Sequence, residues 1–513
     1  MIRSRVRKDT IALIAVCLAA LMFGLEISSV PTILPTLERV LHADLKQMQW
    51  IMNAYTIACT TVLMATGTLA DRFGRRRMFV ISIVLFGIAS LLCGLAHSAT
   101  VLILSRFLQG IGGGAMLICL VAILANQFRE GKERSRAFSW WGIIFGFGLG
   151  FGPLIGGAIA AVSNWQWVFL VHVLVAAITL VLVLSGVQES NDPQAKKLDV
   201  GGIVTLSLAI FGLAYFITQG PDLGFTSLAA IGILSGAVLS FLLFLLVEKT
   251  QPHPMFDFSV FRIRDFSGAI FGSIGMNFSF WPFMIYLPMY FQGGLGYGSM
   301  TAGLSLLAYT LPTLAVPPYA ERLALRYRPG VVIPAGLFTI GLGLFLMAYG
   351  ASAPHASWLT LLPGSLLAGV GLGLTNTPVT NTTTGAVSSS RAGMASGIDI
   401  SARLITLAIN IALMGFLLVE GVSSSLARAL SGRLDAAQLH ALAEGVAAGK
   451  ASLDGHGAIY HAALTHGFLV VMLYGGAGAW ILALASLLTF GPRRVSASEI
   501  SEETREACGC CAV

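Results

Sequence analysis

Gly67-Thr68-Leu69-Ala70-Asp71-Arg72-Phe73-Gly74-Arg75-Arg76-Arg77 sets one acid and four arginines between two apolar runs, at 48–70 and 78–97. Each run is about 20 residues long, enough to cross the hydrocarbon core of a bilayer as a helix. Gly67 and Gly74 permit a tight turn between them. The segment therefore reads as a charged hairpin loop joining two spanning helices, and the rest of the chain repeats that theme. Further spans are expected near 10–35, 100–126, 138–161, 167–187, 200–219 and 227–247, then near 266–292, 302–325, 331–350, 357–384, 395–420 and 467–490. The total is fourteen, an all-α polytopic membrane protein with both ends on one side.

Composition agrees. Of 513 residues, 56% are hydrophobic and 11% charged, with a mean hydropathy of +0.82. Soluble domains carry about 25% charged residues, so too little polar surface is present to cover a globule. The 58 glycines fall largely inside the apolar runs, where they allow helices to approach closely. The net charge of +7 is spread over short loops and not gathered on one face, which argues against a nucleic-acid partner. Cys17, Cys59, Cys93 and Cys119 lie in apolar runs and no structural disulfide is expected. Cys508, Cys510 and Cys511 end the chain, either as a disordered tail or as a metal or lipid site. No metal-binding set is expected. Arg3, Arg5, Arg7 and Lys8 precede an apolar run without a small-residue cleavage site, which reads as an uncleaved first helix.

Charge asymmetry orients the chain. Outside the spans, Arg39, Lys46, Arg428, Arg433 and Lys450 fall in one set of alternating segments, and every other Lys and Arg in the opposite set. The rich set marks the cytoplasmic side, so both termini are expected there. The long segment 421–466 then lies outside, and Ser424–Leu453 is rich enough in Ala and Leu for an amphipathic surface helix or a docking site for a periplasmic adaptor.

An internal repeat divides the chain. Ala70-Asp71-Arg72 with Arg76 has a faded copy in Ala320-Glu321-Arg322 with Arg326, and Gly110-Ile111-Gly112 is echoed by Gly369-Val370-Gly371. Expected units are an N-terminal six-helix bundle over 1–188, a linker with two extra helices over 189–265, a C-terminal six-helix bundle over 266–492, and a cytoplasmic tail over 493–513. Two related halves suit alternating access, in which one half rocks against the other. Ser365 stands where the first half has Arg106, which puts the chemistry in the N-terminal half.

Four motifs resemble those of the major facilitator superfamily. The segment Gly67–Arg77, with Gly67, Asp71, Arg72, Gly74, Arg75 and Arg76, matches the superfamily's loop signature at every fixed position. The run Leu102 to Gly114, with Arg106 and Gln109, resembles its fourth-helix motif, and an arginine in the bilayer demands a partner or water. Gly148, Gly152, Pro153, Gly156 and Gly157 look like the fifth-helix motif characteristic of antiporters; three of the glycines share one face, and Pro153 bends the helix. Leu25-Glu26 through Pro31 to Pro35 resembles the first-helix motif of the fourteen-helix drug:proton antiporters, departing from it by Glu for Asp, Ser28 for Thr and Pro31 for Asn. The resemblance implies the major facilitator fold, with two six-helix bundles and two inserted helices. It also implies a carrier in a bacterial inner membrane, driven by the proton gradient without a cofactor and acting as a monomer on small molecules.

From the residues, Glu26 is the acid well inside a helix of the first half, and Arg106 the cation. A carboxyl that meets an arginine in one state and not in another changes its affinity for a proton, so this pair is the expected proton-coupling site. Asp399 and Arg403, four apart, can pair within one helix and read as structural or gating, with Arg403 reaching the Asp71 loop. His172 reads as a packing histidine or a proton relay. Candidate substrate contacts are Tyr55, Asn277, Phe280, Trp281, Tyr286, Tyr290, Asn376 and Asn381, an aromatic set with few fixed polar points that suits apolar or amphipathic ligands. No nucleotide loop, metal-spaced cluster or serine–histidine arrangement points to an enzyme. Proton-coupled export of drugs or toxins is the first reading. Transport of one specific metabolite, a siderophore, fatty acid or nutrient, uptake included, is the second.

Overall fold

The computed structural model describes residues 2–128, 132–191, 199–251, 258–387, 392–430, 435–448 and 457–491, and all of its regular structure is helical. The side chain of Asp71 and the cysteines at 508, 510 and 511 lie outside what is described. Six helices come first: α1 (Ile2–Leu41), α2 (Leu45–Phe73), α3 (Arg75–Gly94), α4 (Ala99–Gln127), α5 (Lys132–Val162) and α6 (Gln166–Gly186). α7 (Val200–Leu223) and α8 (Leu228–Thr250) form a hairpin. After it come α9 (Arg264–Met289), α10 (Ser299–Thr310), α11 (Pro312–Ala315), α12 (Pro317–Tyr327) and α13 (Pro329–Ala351). α14 (Trp358–Gly385), α15 (Ala392–Ala429), α16 (Ala436–Ala448) and α17 (Gly457–Phe490) complete the chain.

Among the described residues, 12 helices are long and apolar enough to cross a membrane, and 13 if the stretch α10–α12, bent by 46°, is one span. Pro312 and Pro317 each remove a backbone donor at that bend. The expected span at 48–70 is helical but stands outside this set. α2 is 29 residues long, yet Gln47, Gln49, Asn53, Thr56, Thr60 and Thr61 dilute it. Gln49, Asn53, Thr56 and Thr60 recur at helical spacing and all are buried, so the polar stripe faces protein. The expected loop 421–466 is also corrected: α15 runs on to Ala429, α16 occupies its middle and α17 begins at Gly457.

α1 packs on α4, α5 and α6, α2 on α4, and α3 on α4 and α6. α9 packs on α13, α14, α15 and α17, and α13 on both α14 and α17. α7 lies against α2 and α15, while most of α8 faces outward. The two halves repeat their packing in detail. A Cβ on Gly110 would stand 2.4 Å from the carbonyl oxygen of Tyr55, and one on Gly369 would stand 2.4 Å from that of Tyr309. Two residues on, Gly112 meets the backbone of Phe86 on α3, and Gly371 meets that of Gly336 and Ile340 on α13. α4 thus sits on α2 and α3 as α14 sits on α10 and α13, and the faint glycine echo in the sequence is a structural repeat.

The halves meet near the helix ends joined by 42–44, 95–98, 163–165, 295–298 and 352–357, here called distal. Gln292 Nε2 donates to Thr32 O at 2.8 Å there, and midway along α5 Thr310 Oγ1 donates to Gly150 O at 2.6 Å. Lys46 pairs with Glu444 on α16 at 2.8 Å. One continuous apolar core joins Val30, Ile33 and Leu37 of α1 to Ile285, Tyr290 and Phe291 of the second half. A separate core of Ala19, Phe79, Phe86 and Ile123 fills the rest of the first half.

Candidate functional site: a buried charge cluster in the first half

Glu26 and Arg106 are both 0% exposed, and the sequence pairing is direct: Arg106 Nη1 bonds Glu26 Oε1. Two ions taken out of water need further partners, and neighbouring helices bring them. Gln109, one turn on from Arg106 along α4, donates from Nε2 to Glu26 Oε2 at 2.9 Å and to Ser90 Oγ of α3 at 2.9 Å. Its Oε1 accepts from Arg106 Nη1 at 2.7 Å. Arg106 Nε donates to Ile51 O of α2 at 3.0 Å, and its guanidinium stands over the Tyr55 ring at 4.3 Å. From α6, His172 Nε2 lies 3.1 Å from Glu26 Oε2. Five helices thus meet in one cluster, two of them reaching the Glu26 carboxylate directly, and the charges within the cluster balance when His172 is neutral.

The equivalent place in the second half holds no charge. Tyr309, the counterpart of Tyr55, stacks on Phe280 at 4.0 Å and donates its hydroxyl to Phe280 O at 2.9 Å. Ser365, the counterpart of Arg106, is buried among apolar helices.

The fifth-helix glycines work as close-approach points. Gly148 and Gly152 lie on α1, with Ser28 Oγ donating to Gly148 O at 3.0 Å, and Gly156 meets Ser29 and Thr32. Gly157 faces the other way, against Ser299 O, and Gly303 of α10 meets Pro153 O. α5 therefore touches both halves, each across glycines. Pro153 lies within α5 without ending it.

At the loop signature, Gly74 has φ +108°, a conformation open to glycine. Its partner is Glu189, whose carboxylate accepts from the backbone N–H groups of Arg76 at 3.0 Å and Arg77 at 3.1 Å. Arg75 N donates to Ser190 O at 2.9 Å, Arg76 Nη2 to Leu184 O at 2.7 Å, and Arg72 stands over Phe73. Among the described residues, Arg403 bonds within the second half. It grips Asp399 from Nε at 3.1 Å and Nη2 at 2.9 Å, and bonds Asn376 and Thr380 of α14. Asp399 also accepts from Ser273 of α9. This cluster ties three helices of the second half together; the expected contact of Arg403 with the Asp71 loop falls on a side chain outside the described residues.

The substrate candidates are not gathered into one wall. Tyr55 belongs to the charge cluster and Phe280 to the aromatic stack, with Trp281 edge-on to it. Asn277 bonds Ser273 O of its own helix, Tyr290 packs on Phe468, and Asn381 bonds Glu321. Asn376 serves Arg403. Tyr286 does stand between the halves: it bonds Ile411 O and meets Gln49 of α2, which fills the space a side chain on Gly415 would need. Gln109, Gln49 and Glu189 are the residues whose parts the sequence did not assign, and the closeness of His172 to Glu26 was not expected. Gln109 was signalled by its three-residue spacing from Arg106; the others had no local signal. Among the described residues no three His, Cys, Asp or Glu side chains form a metal-binding group.

Comparison with known proteins places this geometry. A family model described as Major Facilitator Superfamily matches residues 16–409. The "Multidrug resistance protein Stp" of Mycobacterium tuberculosis (strain CDC 1551 / Oshkosh) is 32% identical over 439 residues, 85% of this chain and 81% of that protein. The "Quinolone resistance protein NorB" of Staphylococcus aureus (strain Newman) is 29% identical over 433 residues, 84% of this chain and 92% of that protein. The crystal structure of a D-xylose-proton symporter superposes with a TM-score of 0.62 over 93% of this chain and 97% of that one, at 16% identity, a likeness of fold.

Proposed function

The chain belongs to the Major Facilitator Superfamily and is a multi-pass membrane transporter, and on that premise we propose that it exports small apolar or amphipathic compounds in exchange for protons. The observation that carries the proposal is the Glu26–Arg106 pair, fully buried and the centre of five converging helices. A buried ion pair is a poor way to gain stability, and in a membrane an ionisable residue marks a pathway. Its position in a chain related to two resistance proteins favours drugs or toxins over a nutrient.

In the proposed cycle, deprotonated Glu26 binds Arg106 or a cationic substrate. Protonation removes its charge, weakens both attractions and lets substrate leave on the distal side. The cross-half contacts at Thr32–Gln292 and Lys46–Glu444 hold the halves together on that side, which favours a cycle in which this side opens as the contacts part. By the charge bias of the loops, the opposite face is the cytoplasm, both termini lie in it, and the membrane is a bacterial inner membrane. The fourteenth span is α2, inserted with its polar stripe against protein, and α7–α8 are the pair added to the twelve-helix core. The energy source is the proton gradient, and the working unit is one chain.

The test uses inside-out vesicles carrying the wild type or Glu26→Gln, acidified by respiration and challenged with lipophilic cations, acids and neutral drugs. Substrate-dependent collapse of the pH gradient in the wild type and not in the variant is the expected result. No response to any compound would overturn drug export, and collapse that persists in Glu26→Gln would move coupling to another residue.

A further inference from the structure

Beside the pair used in the proposed cycle, the buried imidazole of His172 has chemistry that the cycle leaves idle. It is 1% exposed. Nε2 lies 3.1 Å from Glu26 Oε2, bent away from a straight hydrogen bond, and among the described residues Nδ1 has no hydrogen-bond partner. Phe86 of α3 stands edge-on to the ring at 5.7 Å. A buried polar nitrogen without a partner is unusual in a native interior, and here it belongs to the side chain whose ordinary titration falls nearest neutrality. The charged groups that act on it are Glu26 from α1 and Arg106 from α4; Gln109 of α4 and Cys93 of α3 sit against that pair, with Tyr55 and Cys59 of α2 behind Arg106. The span of α5 beside it, 140–162, carries no titratable side chain.

Resting on the proton-coupled reading above, we propose that His172 is the relay through which the exchanged proton reaches and leaves Glu26. With Nε2–H turned toward Oε2, the Nδ1 lone pair is open. A proton that binds Nδ1 allows the Nε2–H bond to break, its electrons staying on the ring, while the hydrogen passes to Oε2. The products are a neutral imidazole with its hydrogen on the other nitrogen and a neutral carboxyl group. Arg106 is unchanged, so the cluster gains one positive charge and the pairing of Arg106 with Glu26 is weakened. Reversal returns the proton by the same two atoms. The 3.1 Å approach is within hydrogen-bond distance once the ring turns into line, and the Gln109 contact holds Oε2 in place meanwhile.

The first measurement needs no substrate. Full-length protein labelled with 15N at histidine is titrated in nanodiscs from about pH 5 to about pH 8, the range over which histidine ordinarily titrates. One of the 9 histidine signals, missing in His172→Gln, is expected to change protonation or tautomer across that range. In Glu26→Gln its midpoint is expected to move by about one pH unit or more, as loss of a neighbouring charge does. His172→Asn serves for the assignment where His172→Gln does not fold. A His172 signal constant in both backgrounds overturns the relay.

The second measurement compares ethidium exchange without a pH gradient and gradient-driven ethidium accumulation in proteoliposomes. His172→Gln keeps a donor beside Glu26 but cannot pass a proton on. It should retain exchange and lose accumulation about tenfold; accumulation equal to wild type overturns the relay. If the wild type moves no ethidium, drug export has failed for this cation, and the titration decides the relay by itself.

Discussion

Ser28 of α1 occupies the space that a side chain on Gly152 of α5 would require: a Cβ there would stand 1.8 Å from Ser28 Oγ, which donates to Gly148 O at 3.0 Å. Gly152→Ala must therefore push α1, the helix of Glu26, away from α5. Overpacking of a filled interior commonly destabilises by about 1–3 kcal/mol. Thermal unfolding of the purified variant should show a loss of that size. Adding Ser28→Ala should recover part of it, and a strictly additive double variant would show that the two residues do not meet.

The repeated glycine contacts predict matched effects. Gly110→Ala drives a methyl group into Tyr55 O, and Gly369→Ala drives one into Tyr309 O, each at a distance of 2.4 Å before relaxation. Each is expected to lower stability by about 1–3 kcal/mol. Only Gly110→Ala should also disturb transport beyond its stability loss, since Tyr55 carries the cation contact to Arg106. Equal transport defects in the two variants would contradict an asymmetric division of labour.

Removal of one charge from the buried pair should be worse than removal of both. Arg106→Ala leaves the Glu26 carboxylate without its counter-ion, and breaking a buried pair this way costs about 3–5 kcal/mol. Glu26→Gln with Arg106→Gln should unfold at a higher temperature than Arg106→Ala while remaining inactive. Arg106→Lys should not restore activity either, because the guanidinium uses Nε on Ile51 O and Nη1 on both Glu26 and Gln109.

On the distal side, Lys46 and Glu444 are only partly covered, with side chains 16% and 29% exposed. A half-buried pair of this kind at the rim contributes on the order of 1 kcal/mol. Lys46→Glu should therefore fold normally and alter transport rate by no more than about fivefold, with high salt narrowing the difference. Exchanging the charges with Lys46→Glu and Glu444→Lys should return the wild-type rate if the contact joins the halves.

Much of this fold was legible because a bilayer allows few solutions. Apolar runs of spanning length give helices at nearly every expected place, and the four motifs carried the family. Pairing of Glu26 with Arg106 and of Asp399 with Arg403 was legible from the scarcity of charge inside spans. The rest depended on contacts between distant segments. Nothing local to His172 says that α6 turns it toward α1, and nothing near Glu189 says that it caps the backbone of α3. The aromatic residues of α9 are legible as rings but not as contacts: rings pack as readily in a helix core as along a pathway, and here Phe280 stacks on Tyr309 and Tyr290 packs on Phe468. Segment 421–466 reads as a loop because its charge masks the continuation of α15 and α17.

The polar stripe of α2 bears on how the protein is made as well as on how it works. Insertion into a bilayer is decided helix by helix according to apolarity, and a segment carrying Gln49, Asn53, Thr56 and Thr60 is a poor candidate to enter alone. Its entry depends on surfaces supplied by α1 before it and by α4 after it, with the arginines at 72 and 75–77 left behind as an anchor. Synthesis therefore has to hold α2 near the translocation machinery until its partners emerge. A substitution that loosens α4 would then be felt first as failed insertion and lost protein, before any defect in transport could be measured.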